Sequence, residues 1–192
     1  MLAEEYMCGN DLSELAREIM RCERCGLSQT RRNAVPGEGP EDARVMMVGE
    51  APGAAEDLAG RPFVGRAGAL LDRALDLAGL NRSEIFITNV VKCRPPGNRR
   101  PSSGEIRACM PYLREQIEII RPSAICLLGN IPAKAILGVQ GVTALRGRVF
   151  DDLYLITFHP AAVLRNMGRM ELFVSDLAKL REMRSVNRVR QL

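Results

Sequence analysis

The sequence lacks any long apolar run, because its hydrophobic stretches are short and are broken by charged residues, glycine or proline. A helix that spans a bilayer needs about 20 apolar residues, so we expect no membrane-spanning segment and no membrane partner. The first residues lack the basic and apolar stretches of a secretory signal, which predicts an intracellular, cytoplasmic protein. Internal repeats and low-complexity linkers are also missing, so the 192 residues are expected to form one domain, 1–192, in a monomer.

The charge is only mildly positive. A net charge of +4 permits a polyanionic partner without requiring one. Arginines are concentrated in a few places, and a solvated surface explains such clusters as well as a binding surface does. They lie at 94–100, at Arg146 and Arg148, at Arg165 and Arg169, and at 181–190.

Apolar, β-branched runs alternate with segments of helical spacing. This alternation predicts an α/β fold, a three-layer α/β/α sandwich around a mostly parallel, four-stranded central sheet. Strands are expected at 44–48, 85–91, 124–128 and 153–158. Helices are expected at 11–20, 67–78, 104–120, 131–137 and 171–183. We divide the domain into an N-terminal helix and cysteine loop (1–43), an α/β core (44–180) and a basic tail (181–192) for which disorder is one interpretation.

Polar and turn residues follow each predicted strand. Glu50 comes after the first strand, Asn89 lies at the end of the second, Gly129 and Asn130 follow the third, and His159 follows the fourth. In open α/β sheets, ligands bind at the carboxyl ends of the strands. The sequence therefore predicts a site at this edge, which also receives the one histidine of the chain.

The six cysteines point to a metal or redox role, since disulfides are rare in an intracellular chain. Cys22 and Cys25 form a C-x-x-C motif, Cys93 follows a strand and Cys109 lies in the next helix. Such thiolates can bind zinc or a [4Fe–4S] cluster, and the wide split of the second pair favours iron–sulfur. Four unrelated buried thiols remain the alternative. The other two, Cys8 and Cys126, are interpreted as bystanders.

Three long motifs make the sequence specific. They are GEAPGAAEDLAGRPFVGRAG at 49–68, TNVVKCRPPGNR at 88–99 and HPAAVLRN at 159–166. Together they resemble the motifs of family 4 uracil-DNA glycosylases, the iron–sulfur type of the uracil-DNA glycosylase superfamily, and the resemblance covers about 22–180. It implies an enzyme that flips uracil out of DNA and hydrolyses its N-glycosidic bond, leaving an abasic site. It also implies a structural [4Fe–4S] cluster on Cys22, Cys25, Cys93 and Cys109, and no nucleotide cofactor.

The resemblance implies roles for the residues in these motifs. His159 would donate to uracil O2 as negative charge develops there, and a neutral imidazole suffices. Asn89 would pair with uracil O4 and N3–H, the pattern that cytosine reverses. Phe63 would stack on the flipped base, and backbone amides near Glu50 and Ala51 would hold its edge.

We expect a carboxylate side chain to orient the attacking water. Ala51 stands where other uracil glycosylases carry an aspartate, so Glu50 is the first candidate and Asp57 a weaker one. Glu56 is expected to screen the C5 side of the base and exclude the methyl group of thymine. A solvated helix cap is the alternative interpretation of Glu56.

A flipped base leaves a gap in the DNA stack. Val163 and Leu164 are expected to enter that gap as an apolar wedge, and Arg165 and Arg169 to bind phosphates. An ordinary helix start is the alternative. The expected partner is uracil-containing DNA, single- or double-stranded, with replication or repair proteins as further candidates.

Three other functions stay open. A superfamily glycosylase of broader deaminated-base specificity is one, and a non-catalytic iron–sulfur DNA-binding module is another. A nucleotide enzyme is disfavoured because the glycine-rich segments match neither the P-loop nor the dinucleotide fingerprint. A relative that becomes covalently fixed to abasic DNA is disfavoured because 143–148 lacks a histidine.

Overall fold

Buried strands form the centre of the fold in the computed structural model, which describes residues 11–186. The strands are β1 (Val45–Gly49), β2 (Ile85–Asn89), β3 (Ala124–Leu128), β4 (Val149–Phe150) and β5 (Tyr154–Thr157). Every residue of β1, β2 and β3 is buried. Burial on both faces means that helices cover both sides of the sheet, which confirms the predicted α/β sandwich.

The sheet has five strands in the order β2-β1-β3-β5-β4, not the four that the sequence predicted. The strands β2, β1, β3 and β5 are parallel, and β4 pairs antiparallel with β5 at the edge. The prediction missed β4 because two residues carry no measurable periodicity, and Val149 is exposed.

Helices lie between the strands in the predicted order, with three additional short ones. They are α1 (Leu12–Arg21), α2 (Ala54–Ala59), α3 (Arg66–Leu77), α4 (Ser103–Ile120), α5 (Asn130–Leu137), α6 (Val142–Leu145), α7 (Pro160–Arg165) and α8 (Met170–Val186). The start of α4 is set by a capping box, in which Ser102 Oγ accepts from the Glu105 N–H and the Glu105 carboxylate accepts from the Ser102 N–H. Described residues include no helix long and apolar enough to cross a membrane.

Most predicted boundaries differ from the observed ones by at most about one residue, and the ends of β2 and α8 differ by more. β2 ends at Asn89, because Val90 and Val91 turn out of the strand and donate to the carbonyls of Gly49 and Glu50. The last helix continues to Val186, so part of the predicted tail is helical. The rest of that tail and Cys8 lie outside the described residues.

The N-terminal helix brings the cysteine loop to the core. Leu15 and Ile19 of α1 are completely buried, and α1 packs against α4. The loop that begins at Cys22 therefore lies beside the helix that carries Cys109.

A buried carboxylate ties α8 to the strand that leads to the site. Asp176 is 0% exposed and accepts from Thr157 Oγ1 at 2.6 Å and from Arg146 Nε at 2.8 Å. The same guanidinium donates to the Leu172 carbonyl. Because Thr157 ends β5 two residues before His159, this network fixes the end of the strand.

We expect Asp176→Ala to lower the free energy of unfolding by about 3–5 kcal/mol, since it leaves a largely buried guanidinium unpaired. Glu182→Ala, on the exposed face of the same helix, is the control and should change it by less than about 0.5 kcal/mol. Urea denaturation of both variants measures the difference. Equal, small effects would show that the network contributes nothing to stability.

Candidate active site

A cavity of about 590 Å³ opens at the carboxyl ends of the parallel strands. Its wall is built from the segments that follow these strands, with Glu50 after β1, Asn89 at the end of β2, Gly129 after β3 and His159 after β5. The predicted edge of the sheet is therefore where the cavity lies, as expected for an open α/β sheet.

Asn89 lines this cavity and carries an unsatisfied oxygen. Its Oδ1 is buried and has no hydrogen-bond partner among the residues that the structure describes. Gly49 on the neighbouring strand makes room for it, because a Cβ there would collide with Asn89 Oδ1 and lie 2.7 Å from the Phe63 ring. A buried acceptor without a partner destabilises a fold by about 1–3 kcal/mol, so its presence indicates a ligand donor.

Phe63 lines the same cavity as Asn89 and belongs to a strained turn. Its φ of 52° belongs to the left-handed region, which is unfavourable for a bulky residue. Gly68 allows α3 to approach this turn, because a Cβ at that position would overlap the Phe63 carbonyl. Arg82 holds the turn from the other side by donating to the carbonyls of Pro62 and Phe63. The ring, 6% exposed, is thereby fixed 5.8 Å from that of His159.

His159 is held in one tautomer by the helix that follows it. Its Nδ1 accepts from the Ala161 N–H at 3.1 Å and so caps α7. The proton of the neutral ring is therefore on Nε2, which can donate to a ligand. Burial lowers the pKa of His159 to about 4, Arg165 acts in the same direction, and Glu56 opposes it.

Glu50 and Asp57, the two candidates for orienting water, lie in different places. Glu50 lines the cavity half-buried, and burial raises its pKa against the opposing effect of Arg100. Asp57 instead points away from the cavity, where its Oδ1 accepts from the backbone N–H groups of Arg32 and Asn33. The structure thus brings only Glu50 to the cavity.

Glu56 lines the cavity, but its carboxylate is occupied by the backbone. It accepts from the N–H groups of Gly53 at 3.1 Å, Val64 at 3.0 Å and Gly65 at 2.9 Å. These bonds cap α2 and hold the turn that carries Phe63. The arrangement matches the helix-cap alternative and leaves the C5-screening role without support from the contacts.

The predicted DNA-contacting residues divide into two groups. Val163 is 0% exposed and packs in the core, so in this structure its side chain cannot enter a DNA stack. Leu164 is half-buried and Arg165 is exposed at the rim of the cavity. Arg169 also lines the cavity, stacked 5.0 Å over Phe158. The prediction that Val163 enters the DNA stack is therefore wrong. The side of α7 that carries Val163 faces the core, an orientation that the sequence did not specify.

Four cysteines line a second, smaller cavity. They come from the loop after α1, the segment after β2 and α4, and they are Cys22, Cys25, Cys93 and Cys109. Three of their sulfurs accept N–H donors: Cys22 from Arg24, Cys93 from the Arg31 guanidinium and Cys109 from the Lys92 backbone. Burial raises the pKa of the Cys109 thiol to about 11. The fifth described cysteine, Cys126, lies in β3, away from this cavity.

N–H donors to sulfur stabilise thiolate ligands, so this donor set fits a thiolate-bound group. Within residues 11–186, no group of three or more metal-ligating side chains has the geometry to hold a single metal ion. Burial also lowers the pKa of the neighbouring Lys92 to about 8.

Several cavity residues had no role in the sequence analysis. Arg100 lies beside Glu50, and Val142 and Thr143 of α6 form part of the wall. Asn130 Oδ1 positions α6 by accepting from the N–H groups of Gly141 and Val142. A helix of four residues gives no periodic signal, although the Gly129-Asn130 turn did mark this edge.

Comparisons with known proteins agree with this arrangement. The family model of the uracil DNA glycosylase superfamily matches residues 36–181. A type-4 uracil-DNA glycosylase of Pyrobaculum aerophilum is 49% identical over 88% of this chain and 92% of that protein. Similar enzymes of the same description are 44% identical, from Sulfurisphaera tokodaii over 91% and 85%, and from Thermotoga maritima over 88% and 93%, of the two chains respectively.

Proposed function

We propose, because this chain belongs to the uracil DNA glycosylase superfamily, that it removes uracil from DNA by hydrolysing the N-glycosidic bond. It is a hydrolase of DNA repair, and an abasic site is its product. One observation supports this function above the others: the Asn89 amide lines a cavity shared with Phe63 and His159, and its buried Oδ1 has no partner among the described residues. The N3–H of uracil is the donor that this oxygen lacks.

Each side of the base has a matching group. Phe63 stacks on the flipped ring, while the Asn89 amide accepts from N3–H and donates to O4. Cytosine presents an acceptor at N3 and a donor at N4, so the same amide rejects it. Backbone amides near Glu50 and Ala51 hold the edge of the base.

The bond breaks with charge on the leaving base. The C1′–N1 electron pair departs with uracil, and His159 Nε2–H stabilises the developing anion at O2. Water that is oriented by Glu50 adds to C1′ and passes its proton to the Glu50 carboxylate, while the uracil anion leaves and takes up a proton from solvent. The raised pKa of Glu50 makes it a better base than an exposed carboxylate.

The proposed contacts with the DNA strand are made by side chains at or near the rim of the cavity. Leu164 is the remaining candidate for the wedge, and Arg165 and Arg169 for phosphate binding. The proposed substrate is uracil-containing DNA, single- or double-stranded, and the proposed location of the protein is the cytoplasm. Replication or repair proteins remain candidate partners.

We propose a [4Fe–4S] cluster on the four cavity cysteines, supported by the donor set and by the resemblance to type-4 relatives. Such a cluster, when bound, cross-links distant segments of the chain. Cys22 and Cys25 would hold it from the N-terminal loop, Cys93 from the segment after β2 and Cys109 from α4.

Excision from a labelled oligonucleotide with one uracil, without added metal or nucleotide, tests the reaction. Alkali-labile sites at uracil, and none at thymine or cytosine, are the expected result. An inert protein that retains its cluster absorbance would refute the enzyme and favour a DNA-binding module.

The pH dependence tests the role of His159. With a pKa of about 4, the ring is neutral above that value, so we expect no inflection near the ordinary 6.5 in the single-turnover rate. The folded pKa lies below the unfolded one, so His159 contributes stability at higher pH that is lost as the pH falls from about 6.5 to about 4. Rates and thermal midpoints across this window measure both effects.

His159→Asn is the control for this prediction. Asparagine is also a good helix N-cap, so α7 is retained while the imidazole is lost. The variant should lose the pH-dependent part of stability attributed to His159. A wild-type rate that rises as the pH falls through 6.5 would mean that the charged imidazole is the active form.

A further inference from the structure

Lys92 is the largest completely buried side chain among the described residues, with 1% of its surface exposed. Its Nζ donates to three neutral oxygens: Thr88 Oγ1 at 2.6 Å, Gln116 Oε1 at 2.7 Å and the Asn89 carbonyl at 2.8 Å. Three acceptors match the three protons of an ammonium group. The side chain is therefore fully coordinated inside the protein.

A buried lysine is an expensive way to hold a fold together. Lysine is almost never fully buried unless it is paired, and apolar replacement of buried charges is often neutral or stabilising. The partners of Lys92 are dipoles instead of a carboxylate, so their attraction offsets less of the desolvation penalty. Its placement next to Asn89 suggests that it is retained for the geometry of the site.

The ammonium joins three segments around the end of β2. Thr88 Oγ1 and Gln116 Nε2 both donate to the Pro36 carbonyl at 2.8 Å, which links β2, α4 and the loop before β1. The backbone N–H of Lys92 also donates to Cys109 Sγ at 3.2 Å. One residue thus contacts both the cysteine cavity and the strand end that carries Asn89.

Asn89 depends on its backbone for orientation. Its side-chain oxygen has no partner among the described residues, so that oxygen is not fixed by the protein before the base arrives. On one side, Asn89 is paired with Gly49 of β1. On the other side, its carbonyl is held by Lys92.

We propose that Lys92 is a positioning residue for uracil recognition: it holds the Asn89 carbonyl and thereby aims the Asn89 amide at the base. This inference rests on the uracil excision proposed above. Lys92 itself touches neither the base nor the DNA, since it is buried behind the strand. Its effect on the rate must therefore pass through Asn89.

Lys92→Met keeps the chain length and removes the donors. In the full-length protein we expect a roughly 10- to 100-fold fall in the single-turnover excision rate, since small misplacements of an aligned group cost this much. The KM for DNA should be unchanged. In an Asn89→Ala background the same substitution should alter the rate by less than about twofold, because the group that it positions is gone.

Equal losses in both backgrounds would overturn the proposal, because a general structural defect lowers the rate whether or not Asn89 is present. A wild-type rate in Lys92→Met would overturn it as well. If that variant fails to fold or lacks its visible absorbance, Thr88→Val decides, since it removes one acceptor without altering a cysteine neighbour. It should show a smaller loss that also disappears with Asn89→Ala, and a loss that persists there refutes the positioning role.

Uracil excision by the wild-type protein distinguishes failure of this inference from failure of the proposed glycosylase function. A wild type that leaves uracil in place refutes the glycosylase itself. An active wild type combined with additive losses refutes only the positioning by Lys92.

Discussion

Asn89→Ala is expected to lower the rate of uracil excision by about 10²- to 10³-fold, the loss typical when one pre-aimed hydrogen-bonding group is removed from a catalytic site. Among the described residues, this amide is the one group in the cavity with a buried, unpartnered acceptor, so in the proposed reaction a bound base would supply its first hydrogen bond. Single-turnover kinetics on a uracil oligonucleotide measure the loss.

Stability should change in the opposite direction. The variant removes a buried oxygen that has no partner within residues 11–186, so its thermal midpoint should equal or exceed that of the wild type. Asn81→Ala is the control, an exposed asparagine that caps a short 3-10 helix away from the cavity. It should retain the full rate. If the thermal midpoint of Asn89→Ala falls so far that partial unfolding at the assay temperature accounts for the lost rate, then Asn89 supports the fold and does not read the base.

Cys109→Ser is expected to abolish binding of the proposed [4Fe–4S] cluster and to destabilise the protein by more than about 4 kcal/mol, in the range reached when a structural metal site is lost. Cys109 lies on α4, which packs against α1, and the loop after α1 carries Cys22 and Cys25. Loss of the proposed cross-link should release that loop from the core. Iron and sulfide analysis, visible absorbance and urea denaturation measure the three consequences.

Cys126→Ala is the matched control. Cys126 is also buried, 0% exposed against 8% for Cys109, but it lies in β3, away from the cavity, so iron should be retained and stability should fall by no more than about 2 kcal/mol. Bound zinc without visible absorbance in the wild type would contradict the cluster. Undiminished iron in Cys109→Ser would remove Cys109 from the ligand set.

Much of the site could be predicted because local patterns carried it. Glu50, Asn89 and His159 each follow an apolar run, and parallel strands bring their carboxyl ends to one edge whatever the details of packing. The motifs around these residues then added specificity. Glu56, Asp57 and Val163 were harder, since a short helix does not reveal from its sequence which side faces the core.

By itself the sequence determined the alternation of strands and helices, the edge where the cavity lies and which polar side chains, such as Asn89 and His159, line it. Hydrophobic periodicity and strand-end residues are local properties, which survive without knowledge of the fold. Only the tertiary structure decided that Val163 points inward, that Glu56 is bound by three backbone amides and that Lys92 holds Asn89. Those outcomes depend on contacts between segments far apart in the chain, such as Lys92 with Gln116, and no local pattern encodes them.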